Sequence, residues 1–336
     1  MHEKQIQNIT LVELIIRKTH LRWYTATGIL AVLLLSGLII TAFYETTPFF
    51  ELGWDFWRVG LQGPAIIIYI LVIFPFMTRI GNDAFESIIP LVDMNEKEMT
   101  KLLSKYYQPP RSGEWISLSM GVVIILALSQ PWRGNFEFFN TFLFITEIIM
   151  FGLLALLIFY GFHKSRYLTL MNRHLKLDIF NLDTLTPVAR WSFSVSLAFI
   201  GGIIISIIFQ TLENLMQWQI ILIYMILILS TLAMFFITMW STHTTIVKVK
   251  QRELELVQNR LSVACRSMIS QADREKNESD NAIHNEVAAW GIYEKRIREV
   301  KEWPYNAAII GRLVLSIVSP GVVYVIKLFT GNFTVF

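Results

Sequence analysis

Long apolar runs alternate with short polar and basic segments along the whole chain. Most of these runs approach or exceed the length of about 20 residues that a helix needs to cross a bilayer. Tryptophan or tyrosine stands at many of their ends, as expected where a span meets the membrane surface. The pattern predicts an all-α membrane protein with seven spans: Trp23–Tyr44, Val59–Met77, Trp115–Gln130, Phe138–Tyr160, Trp191–Phe209, Trp218–Trp240 and Tyr305–Phe329.

Basic residues are distributed unevenly between the segments that join the spans. Residues 1–22, 78–114, 161–190 and 241–306 hold 25 of the 29 lysines and arginines. Since basic loops stay in the cytoplasm, the N-terminus is predicted to be cytoplasmic and the C-terminus external. We therefore expect a multi-pass protein of the plasma (inner) membrane, whose first partner is the lipid bilayer.

Composition agrees with this interpretation and favours no enzyme class. The chain is 54% hydrophobic and 16% charged, whereas soluble domains carry about 25% charge. No cleavable signal peptide is expected. The single cysteine excludes an internal disulfide, and the six histidines form no metal-ligand spacing. The near-neutral charge of residues 241–306 argues against a nucleic-acid-binding surface there. We expect no cofactor, metal or catalytic residue.

The segments outside the spans divide the chain into parts. Residues 1–22 are predicted to form an amphipathic helix at the membrane surface, with Val12 and Ile16 on its apolar face. Residues 23–240 form a six-span bundle with short cytoplasmic helices near 84–107 and 164–190. Residues 241–304 form a cytoplasmic helical hairpin, and residues 305–336 contain the seventh span and an external C-terminus.

The predicted hairpin has an apolar seam at helical spacing on each arm. The first arm is an extension of the sixth span, and Asp273–Asn281 is the turn. The hairpin is either a solvated stalk or a module that docks subunits together. The seam residues are Leu254, Val257, Leu261, Ala264 and Met268 on the first arm and Ile283, Val287, Trp290, Ile297 and Val300 on the second.

Glu147 is an ionisable residue near the middle of the fourth span. Such residues are costly in the bilayer and face a protein interior or water. Glu147 is therefore either a site for an ion or proton, or a residue that fixes helix packing. Arg58 and Gln62 share one face of the second span and are candidate partners.

The seventh span carries a polar stripe. At 100° per residue, its polar residues lie within about 60° of Arg312, while Pro320 lies at the edge of this sector. Trp303, Pro304 and Pro320 are candidate hinges. The stripe consists of Tyr305, Arg312, Ser316, Ser319, Lys327 and Thr330, of which the last five are candidate pore-lining residues.

Three functions fit these features. The first is a homo-oligomeric channel for ions, with the seventh helix lining the pore and the hairpin mediating assembly. The second is a membrane-embedded sensor or signalling scaffold, with the hairpin as its output element. The third is a secondary transporter that uses Glu147.

The predicted topology is similar to that of insect-chemoreceptor-type seven-helix ion channels. The shared features are the extension of the sixth helix, the return arm that ends at Trp303-Pro304, and the separate last helix. The resemblance implies a tetramer held together by the cytoplasmic helices, with the last helix lining the pore. It covers topology alone, because the last helix reads SPGVVYVIKLF and lacks the family's Thr-Tyr and Gln-Phe signature.

Overall fold

The structure is a computed structural model. It describes residues 10–18, 20–45, 49, 52–130, 137–172, 174–272 and 280–303, and within the last 33 residues it describes 311, 315, 318–326 and 329.

Helices make up nearly all of the described regular structure. Two 3-10 turns, Ile89–Leu91 and Leu182–Leu185, and one isolated bridge between Val92 and Leu175 complete it. The helices are α1 (Leu11–Lys18), α2 (Trp23–Phe43), α3 (Trp54–Ile88), α4 (Glu96–Tyr107), α5 (Arg111–Ser129), α6 (Phe138–Asn172), α7 (Thr186–Phe209), α8 (Leu212–Leu215), α9 (Trp218–Ala272) and α10 (Asp280–Glu299).

Six of the described helical stretches are long and apolar enough to cross a membrane. They contain α2, α3, α5, α6, α7 and α9 and coincide with the first six predicted spans. Large apolar side chains are more than 60% exposed on their outer faces, for example Val32, Val123 and Leu229. A soluble monomer rarely exposes so much apolar surface, whereas a multi-pass membrane protein faces lipid with it. The predicted seventh span lies mostly outside the described residues.

The core of the bundle lies between α3, α6 and α7. Helix α2 packs on α3 and α6, α5 packs on α6, and α9 packs on α6 and α7. Two ends can be defined. The hairpin end is where α9 continues past Trp240, and the far end is where α7 stops at Phe209 and α9 begins at Trp218.

Several helices run further than their spans. Residues 78–88 continue α3, so of the segment 84–107 only Glu96–Tyr107 forms a helix of its own. In the segment 164–190, residues 164–172 continue α6, Leu182–Leu185 form a 3-10 turn and residues 186–190 begin α7. A hydrophobicity pattern marks the lipid-facing part of a helix and does not detect a polar continuation.

Helix α1 packs against the bundle. Leu11 and Val12 are buried, and Ile16 packs against the main core. The described part of its apolar face thus contacts protein, and its position at a membrane surface stays a prediction.

A close helix contact joins α5 and α6 at Gly121. A Cβ atom at this position would lie 2.5 Å from the carbonyl oxygen of Phe151 and 3.0 Å from Cβ of Ala155. Because the first of these atoms belongs to the backbone, the contact leaves no room for a side chain. Gly152 on the facing helix is different, since its added Cβ would meet only Leu118 Cγ at 3.8 Å.

We expect Gly121→Ala to destabilise the bundle by about 1–3 kcal/mol, the usual effect of overpacking. Gly152→Ala is the matched control, and alanine's higher helix propensity should make it neutral or stabilising. Thermal unfolding of both variants in the same detergent is the measurement. Equal melting temperatures for the two variants would contradict the close α5–α6 contact.

Candidate functional site

A cavity of about 290 Å³ lies between α3, α5, α6, α7 and α9, toward the far end of the bundle. Most of its wall is aliphatic or aromatic, and polar side chains from every one of these helices and from the α7–α9 connection interrupt it. The polar residues are Gln62, Tyr69, Ser129, Glu147, Ser206, Gln210, Asn214, Gln217, Gln219 and Tyr224.

Glu147 on α6 supplies the negative charge of the cavity. It is half-buried, and its Oε2 accepts a hydrogen bond of 2.9 Å from the Ser129 hydroxyl on α5. Among the described residues that line the cavity, Glu147 is the one carboxylate, and none is lysine, arginine or histidine. An ionised Glu147 therefore makes the cavity an electronegative site in apolar surroundings.

A neutral hydrogen-bonded row crosses another part of the wall. Gln62 Nε2 on α3 donates to Ser206 Oγ on α7 at 3.5 Å, and Ser206 Oγ lies 2.9 Å from the Tyr224 hydroxyl on α9. These contacts join three helices through side chains that all face the cavity. The row offers both donors and acceptors to a bound molecule.

The sequence analysis proposed Arg58 and Gln62 as partners of Glu147. In the structure, one of them lies at the same cavity as Glu147, and the other does not. Gln62 lines the same cavity as Glu147. Arg58 is not among the described lining residues, and its NH2 group forms an ion pair of 2.6 Å with Asp55 on its own helix. Ser206 and Tyr224 escaped the sequence analysis, because a hydroxyl in an apolar span gives no signal of which cavity it faces.

The C-terminal segment contacts the bundle beside this cavity. Residues 318–326 are helical, and Val323 and Tyr324 pack against a cluster that contains Ile203, Ile207 and Leu215. Tyr324 Oη lies 3.4 Å from the sulfur of Met216. The exposed large side chains described in the C-terminal segment are apolar: Leu315, Val318, Val322, Val325, Ile326 and Phe329.

One of the candidate pore-lining residues is described. Ser319 is half-buried, and its neighbour Pro320 is buried. Arg312, Ser316, Lys327 and Thr330 lie outside the described residues, so the pore-lining stripe stays a prediction.

Of the predicted hinge before this segment, Trp303 is described and Pro304 lies outside the described residues. The Trp303 ring stacks on His243 of α9 with centroids 4.1 Å apart. His243 Nδ1 also lies 2.9 Å from the backbone oxygen of Glu302. These contacts tie the chain that follows α10 to α9 near the hairpin end.

A second buried polar group anchors α1 at the hairpin end. The Glu114 side chain is fully buried and accepts hydrogen bonds from the Tyr160 hydroxyl, from the Leu11 amide at 3.1 Å and from Arg111 at 3.1 Å. Thus Glu114 connects α1, α5 and α6. Removing any of these partners would leave a buried carboxylate less well satisfied.

Helix α1 begins with a capping box. The Glu13 amide donates to Thr10 Oγ1 at 3.2 Å, and the Thr10 amide donates to Glu13 Oε2 at 3.2 Å. The signal for this helix start was present in the sequence as Thr-x-x-Glu ahead of an apolar run. It predicts the start at Leu11 more sharply than amphipathicity does.

Lys164 lies next to this group, almost fully buried at 6% exposure. Its ammonium donates to the Thr78 carbonyl and to Asn82 Oδ1, both at 3.0 Å, and lies 5.9 Å from the centroid of the Trp191 ring. These partners satisfy the buried cation without a direct ion pair among the described residues. A structural role is therefore enough to explain why Lys164 is buried.

Among the described residues, no group of three or more histidine, cysteine, aspartate or glutamate side chains is arranged to hold a metal ion. Comparison of the chain with protein-family models, with curated proteins and with solved structures finds no match.

We expect α1 to dock less firmly as the pH rises. Burial raises the pKa of the Glu13 carboxyl, while hydrogen bonds with Thr10 and the charge of Lys164 lower it in part. The docked state therefore binds the Glu13 proton more tightly than the unfolded chain does. This contribution is complete below the ordinary carboxyl pKa of about 4.3 and is lost as the pH rises through the raised value.

Hydrogen exchange of the α1 amides, corrected for intrinsic rates, measures this effect between pH 4 and 8. Glu13→Gln should reduce the pH dependence, whereas Glu98→Gln on the exposed face of α4 should retain it. A Glu13→Gln protein with the same pH dependence as the parent would show that Glu13 is not responsible.

Proposed function

We propose that this chain is a membrane-embedded sensor that binds a small molecule in the cavity and transmits binding to the hairpin through α9. The observation that carries the proposal is the continuity of α9. This single helix of 55 residues contributes to the cavity wall near its N-terminus and forms the first arm of the hairpin near its C-terminus.

The length of α9 connects the two regions mechanically. Ile220, Ile223, Tyr224 and Leu227 line the cavity. At a rise of 1.5 Å per residue the whole helix is about 80 Å long. A small change of tilt at the cavity would become a larger displacement at the other end of a rigid helix.

Contacts between α9 and α10 support the proposed output element. Val257 on α9 and Ile297 on α10 are buried against each other's helices, with Leu254, Trp290 and Tyr293 around them. Lys250 adds a polar anchor, since its ammonium donates to the carbonyls of Arg298 at 3.0 Å and Val300 at 2.9 Å. The carbonyls at the end of α10 thus have a donor on α9.

A second contact links the hairpin with the bundle. Ile179, in the connection between α6 and α7, is buried in the same cluster as Val257 and Ile297. Its neighbour Phe180 packs on Tyr293 with ring centroids 5.6 Å apart, and Arg296 lies 5.7 Å from the Phe180 centroid. Movement of α6 or α7 around the cavity would therefore also reach α10.

The sensor proposal predicts that a cavity ligand moves the hairpin. A library of small amines, alcohols and carboxylic acids is screened for compounds that raise the melting temperature of the protein. Binding should be lost in Gly202→Leu, because Gly202 lines the cavity and an added Cβ contacts Tyr69 at an ordinary 3.4 Å. Spin labels on Cys265 and on Lys101→Cys should change their separation by about 2 Å or more when a hit binds.

Gly28→Leu is the matched control, since Gly28 lies on the exposed face of α2 with open space around it. This variant should keep both binding and the change in separation. Hits that bind in the cavity and leave the distance distribution unchanged would refute the sensor proposal.

A homo-oligomeric channel is the second candidate, and exposed apolar side chains on the hairpin favour it. Leu256 and Val263 lie seven residues apart on α9 and are 52% and 62% exposed, and Ile292 on α10 is 70% exposed. Such residues outside a bilayer are typical of a surface between subunits. In this candidate the polar stripe of the seventh helix lines a pore shared by the subunits, four by analogy.

The channel candidate predicts a particle of several subunits that conducts ions. The double variant Leu256→Glu, Val263→Glu should dissociate it, while Glu255→Gln on the same helix should not. Arg312→Glu or Lys327→Glu should shift selectivity from anions toward cations, because a basic ring in a pore favours anions. Particle mass and bilayer currents are the measurements, and a monomer without current would exclude this candidate.

A further inference from the structure

We propose that the cavity is selective for a small organic cation, namely a primary or secondary ammonium on an apolar body of about one ring. The inference rests on the proposed function, because it names the class of ligand that the sensor takes. Four properties of the cavity support it: its charge, its free acceptor capacity, its apolar walls and its volume.

Charge is the first of these properties. Glu147 is the one carboxylate on the described wall, and no described lining residue is lysine, arginine or histidine. Burying a carboxylate without a cation is costly, because apolar surroundings replace its hydration poorly. A bound ammonium would supply a positive charge next to Glu147, whereas an ionised Glu147 would repel an anionic ligand.

Acceptor capacity is the second property. A carboxylate offers about four acceptor positions, and the Ser129 hydroxyl at 2.9 Å occupies one of them. An ammonium with two or three N–H groups can use the remaining positions. The strength of such a charge-assisted hydrogen bond is roughly twice that of a neutral one.

The third property, the apolar wall, distinguishes an organic cation from a metal ion. Calcium takes 6–8 oxygen ligands, and magnesium requires a near-octahedral set. Here Glu147 is the one described carboxylate, its described hydrogen-bond partner is Ser129, and the other described polar residues of the wall are neutral amides and hydroxyls set among apolar residues such as Phe151 and Phe199. This wall suits a hydrocarbon body, while Ser206 and Tyr224 can hydrogen-bond a polar substituent on it.

Volume is the fourth property and limits the size of the ligand. The cavity measures about 290 Å³, which is at the small end of the range of about 300–1,000 Å³ for ligand pockets. A molecule with one aromatic ring and a short amine-bearing chain matches this size. Large multi-ring amines would exceed it.

A series of three probes of similar shape and different charge tests the inference. These are phenethylamine, 2-phenylethanol and 3-phenylpropanoate, measured by calorimetry against the full chain in nanodiscs at pH 7. Phenethylamine should bind at least tenfold more tightly than the alcohol, and the carboxylate should not bind. Gly202→Leu should abolish binding of the amine, and Gly28→Leu should not.

Variants of Glu147 then assign the charge. Glu147→Gln should remove the preference for the amine and leave the affinity for the alcohol within about twofold, whereas Glu147→Asp should keep part of the preference. Glu137→Gln, an exposed carboxylate just before α6, is the matched control. The order of the three probes on the unchanged protein stands as a test even if Glu147→Gln does not fold.

Each outcome has a defined meaning. Equal binding of amine and alcohol, both lost in Gly202→Leu, would overturn the cation class and leave the sensor proposal standing. Binding of the amine that survives Gly202→Leu, or no binding of any probe up to 10 mM, would overturn the assignment of this cavity. Tight amine binding without hairpin movement would retain the cation site and refute the sensor.

Discussion

The requirement that polar groups inside an apolar bundle find partners within the protein determines much of this structure. At the hairpin end, Glu114 is fully buried and joins three helices, and Lys164 is held by the Thr78 carbonyl and Asn82. Both side chains have their partners among the described residues. Glu147 differs, since its one hydrogen-bond partner in the described part of the chain is the Ser129 hydroxyl, and a cavity lies beside it.

This difference distinguishes a buried charge that fixes helix packing from one that can bind a ligand. Where a buried charge is enclosed by neighbouring helices, as at Glu114, it fixes their arrangement. Where the charge faces a cavity, part of its hydrogen-bonding capacity remains for another molecule. Glu114 at the hairpin end thus joins helices, Glu147 toward the far end faces a cavity, and α9 connects these regions.

Hydrophobic runs predicted the six apolar helices well, because lipid selects a continuous apolar surface over a fixed length. They could not show that α3 and α6 continue past their predicted spans or that α1 docks on protein, since polar continuations and docking depend on tertiary contacts. The position of Glu147 near the middle of a predicted span identified it as a candidate site residue. Its neighbours Ser206 and Tyr224 required the fold, because 59 and 77 residues separate them from Glu147 along the chain.

The most direct test of the central claim is an electron cryomicroscopy map of the full chain in nanodiscs with and without phenethylamine. We expect ligand density between Glu147 and the Ser206–Tyr224 pair, together with a shift of the hairpin end of α9 relative to the ligand-free map. A cavity without ligand density at saturating amine, or a filled cavity with α9 unmoved, would contradict it.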